Sequence, residues 1–395
     1  MALQPAAGAR DLNPVQVGGN RRLRERLAEV YRLWGYQEVA PPSVERLDTL
    51  QAGGGIAEQD VVRLAAEEPL GLRPEFTASI ARAASTRMAA RPRPLRLWAE
   101  GPTFRALVGD AGGQRISEQL QSGVELLGVP TASADVELIR LLLACTETIG
   151  LEPSHEPQLL VGHHGLLSTL LERLPSQHRT ACRRALTGFD PLALAAIPLE
   201  PAEQAQLQAL LRLRGEPAWV LKELERHLGS SPLLTELATT LELVRPAAER
   251  LGVQLQLDPS FQPHFDLYDG IVLKLVCRGA AAPVDVASGG RYDALVGRFC
   301  ADAALAAGVG FAFSIEDIRE LLNGTPGNKE ATRLAERPLL VAYSHPDGLA
   351  SALERLDQLH AQGRAAELLP EPLGSHAEAE AVAFSRDSQG LEWLG

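Results

Sequence analysis

The segment GPTFRALVGDAGGQRISEQLQSGVELLG, residues 101–128, gives the clearest indication of the architecture. It predicts two strands joined by a glycine-rich loop, with Arg105 just before the loop and Arg115 within it. Gln121 and Glu125 lie on the returning strand. A hairpin with cations at its bend and a carboxylate deeper in is suited to grip a small charged molecule. Such a hairpin either performs chemistry on that molecule or only senses it.

The charge of the chain argues against a nucleic-acid binder. Lys and Arg number 38 and Asp and Glu number 50 among 395 residues, which gives a formal net charge of −12. Affinity for nucleic acids depends on neutralising phosphates with basic side chains, and the sequence contains no Lys/Arg tract. We therefore expect neither tRNA nor DNA binding. A chain of this length can bury a large core and divide into two or three domains.

Cysteine spacing and hydropathy indicate a cytoplasmic protein without a metal centre. The cysteines are far apart and form no C-x-x-C pair, which predicts buried, reduced thiols; they are Cys145, Cys182, Cys277 and Cys300. His163 and His164 are adjacent, so on a strand they point to opposite faces and do not form a metal pair. The N-terminal MALQPAAGARDLNP lacks an apolar core of signal-peptide length, and no apolar stretch is long enough to cross a membrane.

Helical and extended segments surround the hairpin. Apolar residues at helical spacing predict a helix over 19–34, and YQEVAPPSVE, residues 36–45, predicts a strand. Pro41 and Pro42 exclude a central ladder position, so this strand is expected at a sheet edge or an interface. After the hairpin, residues 133–150 have an amphipathic pattern that predicts a second long helix.

The second half of the chain combines a helical segment with further strands. Residues 164–250 are rich in Leu, Ala and Glu at helical spacing, which predicts a helical insertion. Strand patterns return at 253–258, 265–277 and 283–296, and 308–322 predicts a strand that runs into a helix. The strands occur in runs and do not alternate strictly with helices. The sequence therefore predicts an α+β fold with a largely antiparallel sheet flanked by helices, and argues against a doubly wound parallel sheet.

The chain is predicted to divide into a large core and a short tail. The core covers 1–322 and includes the helical insertion at 164–250. Residues 323–337, NGTPGNKEATRLAER, are polar and contain Gly and Pro, which is typical of a linker. Residues 338–395 begin with one βα unit and continue with weak strand signals. We expect them to form a short α/β segment with little core of its own.

Six stretches of the core together resemble histidyl-tRNA synthetases, which are class II aminoacyl-tRNA synthetases. They are GARDLNP (8–14), GYQEVAPPSVE (35–45), LRPEFTASIARA (72–83), the hairpin, FDLYDGIV (265–272), and SGGRYDALV with GVGFAFSIEDI (288–318). Each alone is a weak signal, but all follow the order of the family's motifs. The ordered set implies the class II synthetase fold, with the dimer-forming first motif at 35–45.

The resemblance also implies a binding site for histidine. It assigns the ligand's ammonium group to Glu75, Thr77 and Gln121, the imidazole to Glu125, Tyr268 and Tyr292, and a cation of the site to Arg105. Buried hydrogen-bonding partners reject ligands that would leave them unpaired. Gly289 and Gly290 are expected to let the backbone approach the ligand, or to form an ordinary tight turn. The alternative is a vestigial pocket whose polar groups serve only folding.

Two positions depart from the synthetase pattern. The resemblance implies an arginine before FDLYDGIV that acts on the reacting carboxylate, and this chain has Pro263 followed by His264. It implies a second arginine, at the end of motif three, that pairs with ATP, and this chain has Asp317. A carboxylate cannot replace a guanidinium beside a triphosphate, so we predict no adenylate formation. Arg105 and His264 are both candidates to hold the ligand's carboxylate.

A synthetase-like core without activation chemistry, and without a complete anticodon-binding domain, resembles the regulatory subunits of ATP phosphoribosyltransferase. This resemblance implies a non-catalytic subunit with no cofactor of its own and no contact with tRNA or membrane. Its partner would be a short-form catalytic subunit that joins ATP to phosphoribosyl pyrophosphate with magnesium, assembled with it in a hetero-octamer. The chain would self-associate through a class II-type dimer interface, activate the partner and confer feedback inhibition by histidine.

Two other functions stay open at this point. One is an active histidyl-tRNA synthetase, and the other is a synthetase paralogue that activates another amino acid. Both require amino-acid-dependent exchange between ATP and pyrophosphate. The two carboxylates of FDLYDG suggest a phosphoribosyl-binding loop, but such loops continue into a Gly/Ser/Thr-rich nest that cradles phosphate. Here the strand-like IVLKL follows, so the chain is not expected to be the transferase itself.

Overall fold

The computed structural model of the chain describes residues 5–52, 57–108, 114–262, 267–323 and 337–395. The chain divides into two compact units, Met1–Leu322 and Asn323–Gly395. Residues 324–336, most of the predicted linker, lie outside the described residues. Within those ranges, no helix has both the length and the apolar character that a membrane span requires.

A large mixed sheet forms the centre of the first unit. Its strands and those of a small two-stranded ladder are β1 (Gln37–Glu38), β2 (Val44–Arg46), β3 (Leu70–Leu72), β4 (Leu95–Val108), β5 (Gln114–Leu127), β6 (Gln158–His163), β7 (Gln254–Leu257), β8 (Ile271–Arg278), β9 (Pro283–Arg291) and β10 (Gly308–Ser314). The described strands of the large sheet follow the order β1-β4-β5-β10-β9-β8-β6-β7, and β2 pairs with β3. The β1–β4 and β6–β7 ladders are parallel and the others are antiparallel. This confirms the predicted α+β fold.

Helices cover the sheet of the first unit and fill the predicted insertion. They are α1 (Pro14–Leu33), α2 (Leu47–Gln51), α3 (Thr77–Ser85), α4 (Ala132–Ile149), α5 (His164–Glu172), α6 (Ser176–Thr187), α7 (Pro191–Ala195), α8 (Pro201–Leu210), α9 (Pro217–Leu228), α10 (Pro232–Arg250), α11 (Asp293–Phe299) and α12 (Ile315–Asn323). Helices α5 to α10 lie within 164–250. Their buried leucines join those of α1 and α4 in one hydrophobic core.

Several element boundaries differ from the sequence-based expectations. Helix α1 begins at Pro14, ahead of residue 19, because Asn13 forms a capping box with Gln16. The strand expected at 36–45 is divided into β1 and β2 around Pro41 and Pro42, and β1 lies at the sheet edge, as predicted. The pattern at 283–296 is a strand only to Arg291, after which α11 begins.

The second unit is a small parallel sheet with a helix on each face. Its elements are β11 (Leu339–Tyr343), α13 (Leu349–Ala361), β12 (Ala366–Leu368), α14 (His376–Ser385) and β13 (Gly390–Leu394), with strand order β12-β11-β13. Leu339 and Val341 pack against the side of α13, whereas Leu340 and Ala342 pack against the side of α14. The alternation along β11 therefore gives this unit two thin apolar layers.

Candidate functional site

The side chains predicted to bind a ligand line one cavity in the first unit. The cavity measures about 80 Å³, whereas one water molecule needs roughly 10–15 Å³ on the same measure. It contains every predicted site residue, namely Glu75, Thr77, Arg105, Gln121, Glu125, Tyr268 and Tyr292. Its size therefore suits a ligand of amino-acid dimensions.

The long β4–β5 hairpin supplies one wall of this cavity. Side chains two residues apart on a strand share a face, so Gln121 and Glu125 of β5 point to the same side. Arg105 on β4 lies opposite Ser117 and lines the cavity too. Arg115 does not: it lies within β5 opposite Leu107, and it lines a different pocket. The expectation that Arg115 belongs to the loop was wrong.

Thr77 links the two carboxylates of the cavity. Its hydroxyl donates to Oε1 of Glu125 at 2.7 Å. Its backbone N–H donates to Glu75, whose other carboxylate oxygen accepts from the N–H of Ala78 at 3.0 Å. Glu75 thus accepts from the first two N–H groups of α3, where an anion is favoured by the helix dipole. The second oxygen of Glu125 accepts from the hydroxyl of Tyr292.

The protonation of the cavity follows from its burial. Burial raises the pKa of Glu125 to about 8, against the hydrogen bonds from Tyr292 and Thr77, and the nearby charge of Glu75 raises it further. Burial also raises the pKa of Glu75, and the hydrogen bonds from Ala78 and Thr77 oppose this. Glu125 is therefore mostly protonated near neutral pH, so the cavity holds less negative charge than two ionised carboxylates would give it.

The tyrosines stay neutral phenols. Burial, together with the charge of Glu125, raises the pKa of Tyr268 and of Tyr292 above the usual value. Each ring can therefore donate a hydrogen bond from its hydroxyl throughout the neutral pH range. Tyr292 is 1% exposed and already donates to Glu125. A polar ligand that enters the cavity meets donors and acceptors held in place by the protein.

Glycines on two neighbouring strands, β9 and β10, make room for the side chains of the site. A Cβ atom at Gly310 would lie 1.6 Å from Oε2 of Glu125, and one at Gly290 would lie 2.7 Å from the Tyr268 ring. A Cβ at Gly289 would lie 2.1 Å from the backbone oxygen of Gly310. Gly289 and Gly290 are expected to let the backbone approach a ligand or to form a tight turn. In the structure both lie within β9, so they do not form a tight turn, and their missing side chains leave room for the Tyr268 ring and for the backbone of β10. The approach to a ligand stays a prediction.

The remaining walls of the cavity were not predicted from the sequence. These are mostly apolar and comprise Leu50, Phe76, Leu267, Ser288, Phe311 and Ala312, with Gly123 and Gly310. Ser288 is the polar member, and it lies two residues before Gly290 on β9, opposite Ala312 of β10. The period of two along β9 is the signal that points to Ser288 once Gly290 is assigned to the cavity face.

Hydrogen bonds and a buried ion pair hold the residues next to the two tyrosines. Asp269, next to Tyr268, accepts from the N–H groups of Asp293 at 3.1 Å and Ala294 at 2.6 Å, at the start of α11. Arg291, next to Tyr292, donates to Asp135 at 2.7 Å. Arg291 and Asp135 are both buried. These bonds fix the backbone from which Tyr268 and Tyr292 project.

The positions that depart from the synthetase pattern are only partly described. Pro263 and His264 lie outside the described residues. Asp317 lies in the first turn of α12, where its carboxylate accepts from the hydroxyl of Ser314. Ser314 in turn lies opposite Gln121 in the β5–β10 ladder. An acid thus lies at the end of the strand that borders the cavity.

The remaining candidate side chains have structural surroundings. His163 ends β6 and is the N-cap of α5, because its Nδ1 accepts a hydrogen bond from the N–H of Gly165. The thiols of Cys145, Cys182 and Cys277 are buried and that of Cys300 is partly exposed. Among the residues that the structure describes, no three His, Cys, Asp or Glu side chains are arranged to hold a metal ion.

Comparison with known proteins identifies the family. The family model for histidyl-tRNA synthetase matches residues 8–318. A protein of Synechococcus sp. (strain RCC307), named ATP phosphoribosyltransferase regulatory subunit, is 51% identical over 395 residues and covers 100% of both chains. A protein of the same name from Prochlorococcus marinus (strain MIT 9303) is 50% identical, again over 100% of both chains. The chain belongs to the ATP phosphoribosyltransferase regulatory subunit family.

Solved structures agree with this family and its histidyl-tRNA synthetase-like fold. A protein of Bacillus halodurans C, described as an ATP phosphoribosyltransferase regulatory subunit/histidyl-tRNA synthetase, superimposes with a TM-score of 0.82 at 26% identity and covers 100% of this chain and 98% of that one. Histidyl-tRNA synthetase from Nostoc sp. PCC 7120 superimposes with a TM-score of 0.76 at 18% identity, covering 98% and 90%. The second similarity shows the fold alone. The predicted resemblance is thereby confirmed for this family.

Proposed function

We propose that this chain is a non-catalytic, cytoplasmic regulatory subunit that binds a short-form ATP phosphoribosyltransferase, enables the first step of histidine biosynthesis and senses histidine. Relatives that are 50–51% identical in sequence over their full length are named ATP phosphoribosyltransferase regulatory subunit. The observation that carries the proposal is an amino-acid-sized cavity lined by every predicted site residue, with Asp317 just after the neighbouring strand, where the synthetase pattern has an arginine.

Histidine suits the chemistry of the cavity. Its imidazole has two nitrogens, and Glu125 with its partner Tyr292 offers a proton donor and acceptor in a buried setting. Its ammonium group is complementary to Glu75, which lines the same cavity. Arg105 is the cation that the described lining offers to the ligand's carboxylate. A ligand that left these groups unpaired would bind more weakly, because no hydrogen bond would compensate for their desolvation.

The same residues argue against amino-acid activation by this chain. Adenylate formation needs cations that neutralise charge developing on the phosphate. Asp317 is an acid and position 263 holds proline, so two such cations are missing. Residues 338–395 contain three arginines, no lysine and nine acidic residues, which is unfavourable for an RNA backbone. We therefore propose no tRNA substrate and no cofactor bound by this chain.

The proposed assembly follows the family resemblance. The catalytic partner would join ATP to phosphoribosyl pyrophosphate, and this chain would bind it in a hetero-octamer after self-association through a class II-type interface at residues 35–45. Histidine in the cavity would then change the partner's activity. An allosteric coupling of about 1–3 kcal/mol would change affinity roughly 5- to 150-fold.

Co-purification with the short ATP phosphoribosyltransferase of the same genome tests this proposal. We expect a stable complex, a higher transferase rate with this chain than without it, and inhibition by histidine. Glu125→Ala should abolish the response to histidine and leave assembly intact, because Glu125 lies inside the cavity. An unchanged rate and the absence of a complex would refute the regulatory role.

An active synthetase is the competing function, since the cavity and Arg105 are also what a histidine-activating enzyme needs. Exchange of labelled pyrophosphate into ATP separates the two. We expect no exchange above background with histidine or with any other amino acid. Histidine-dependent exchange by the isolated chain would replace the regulatory proposal with a catalytic one.

A further inference from the structure

A groove of about 570 Å³ lies between α9 and α10 in the helical insertion. It shares no lining residue with the ligand cavity. The edge strand β7 contributes Gln254 and Leu255 to it. Along α10 the lining runs from Leu234 to Glu249, which at 1.5 Å per residue is about 22 Å. A groove of this length between two helices has the dimensions of a helix-binding site.

The walls of the groove are formed by apolar side chains, most of them small. Ala218 and Leu221 of α9 are three residues apart and share a face, and Ala238, Leu241 and Ala248 do the same on α10. Three of these five residues are alanines, which allow another helix to approach within the usual packing distance of about 8–10 Å. Leu221 and Ala238 are only partly buried, so apolar surface is left uncovered.

The rim of the groove carries charged side chains, most of which have no side-chain partner among the described residues. In the described ranges, five of them make no side-chain hydrogen bond or ion pair: Lys222, Glu225, Glu242, Arg245 and Glu249. By contrast, Glu223 on the neighbouring face of α9 pairs with Arg226 at 2.5 Å. With Glu216, the groove has four carboxylates against two cations. Its net charge is therefore negative.

We propose that this groove docks an amphipathic helix of the catalytic partner, with an apolar stripe and basic flanks. The inference rests on the proposed function, because it takes the partner from there. An apolar stripe would cover Leu221 and Ala238, and basic flanks would pair with the rim carboxylates. A second copy of this chain, with a net charge of −12, would add negative charge to a negative rim. The charge therefore favours a different polypeptide.

Filling the groove tests the apolar part of this proposal. Ala238→Trp places a large side chain in it, whereas Leu243→Trp changes a residue of the same helix that is 53% exposed and outside the lining. We expect Ala238→Trp to weaken the affinity for the catalytic subunit at least tenfold and Leu243→Trp to leave it unchanged. Both variants should bind histidine as the unmodified chain does. Equal affinities of the two variants for the partner would overturn the proposal.

Charge reversal tests the second part without a change of volume in the core. Glu242→Lys with Glu249→Lys should weaken the complex, whereas Glu371→Lys with Glu380→Lys, a charge-matched change of exposed residues in the second unit, should not. The unmodified complex should also weaken as salt increases. Insensitivity to both the rim charges and salt would overturn a basic partner helix.

The outcomes separate this inference from the proposed function. If the unmodified chain forms no complex with the catalytic subunit, the proposed function fails. If the complex forms and the groove variants bind as tightly as the controls, only the groove inference fails. If Ala238→Trp loses its fold by circular dichroism, the charge-reversed pair decides alone, since its changes lie on the exposed rim.

Discussion

Gly310 lies directly opposite Glu125 in the ladder between β5 and β10, and a Cβ atom at position 310 would lie 1.6 Å from Oε2 of Glu125. The carboxylate occupies the space that any side chain at 310 would take. Glu125 is 5% exposed, so it has little freedom to move to solvent. The missing side chain at 310 is thus a condition for a buried acid at 125.

Gly310→Ala is therefore expected to disrupt the site. The added methyl group forces the Glu125 carboxylate away from Thr77 and Tyr292, both of which bind it. We expect the proposed binding of histidine to weaken at least tenfold by calorimetry, and the free energy of unfolding to fall by ~1–3 kcal/mol, as for other overpacked cores. Gly297→Ala in α11 is the control, because its Cβ would lie 3.7 Å from the nearest atom, Cβ of Ala306. Histidine affinity unchanged in Gly310→Ala would contradict this account of the site.

The raised pKa of Glu125 predicts a pH-dependent stability. The pKa is about 8 in the folded chain and about 4.3 in an unfolded one, so the folded chain binds more protons in between. The contribution of Glu125 to the free energy of unfolding is then complete below pH ~4.3, and it falls by up to about 1.4 kcal/mol per pH unit until pH ~8. Glu125→Gln mimics the protonated acid and should remove this contribution. Urea unfolding at pH 6 and pH 9 measures it, and an equal pH slope in both proteins would contradict the raised pKa.

Local patterns predicted the elements but not all of their neighbours. The alternation along β5 indicated that Gln121 and Glu125 share a face, and the structure has both in one cavity. The meeting of Glu75 with Glu125 rests on the family resemblance, because no local period relates strands and helices that far apart. The ion pair between Arg291 and Asp135 joins positions 156 residues apart, and nothing in the local sequence indicates it.

Short elements were the least predictable. The sequence predicts Arg115 in the loop, but β5 begins at Gln114, and a boundary shift of two residues moves a side chain from a bend onto a strand. In the tail, β12 has only three residues and β13 five, all of them partly exposed. Three to five residues without a buried face do not establish a period of two. The packing of one helix against each face of β11 stabilises this sheet.

His163 predicts a second pH effect, of opposite sign. Burial lowers its pKa to about 4, whereas an unfolded histidine titrates near 6.5. The folded chain binds fewer protons in this window, so stability should fall by up to about 1.4 kcal/mol per unit as pH decreases from ~6.5 to ~4. His163→Asn keeps a side-chain acceptor for the N–H of Gly165 and removes the titration. Denaturant unfolding from pH 7 to pH 4.5 should show a shallower loss for the variant; parallel curves would rule out the lowered pKa.

The buried ion pair of Arg291 and Asp135, next to Tyr292, predicts a pH-dependent loss of stability when Arg291 is replaced. Arg291→Met leaves the carboxylate of Asp135 buried without its cation, which costs ~3–5 kcal/mol in comparable sites. Burial already raises the pKa of Asp135 to about 6, against the attraction of Arg291. Without Arg291 this pKa must rise further, because a favourable charge is lost. The loss of stability in Arg291→Met should therefore be larger at pH 8 than at pH 5, where Asp135 is mostly protonated in both proteins.

An exposed ion pair provides the control for this experiment. Arg250 approaches Glu147 at 3.4 Å, and its side chain is 63% exposed, so Arg250→Met should cost under ~1 kcal/mol. Unfolding in urea at both pH values compares the two variants. Because Arg291 also donates to the backbone oxygens of Val129 and Thr131, part of its effect does not depend on Asp135. A loss of equal size at pH 5 and pH 8 would attribute the effect of Arg291 to these carbonyl contacts and exclude the ion pair as its cause.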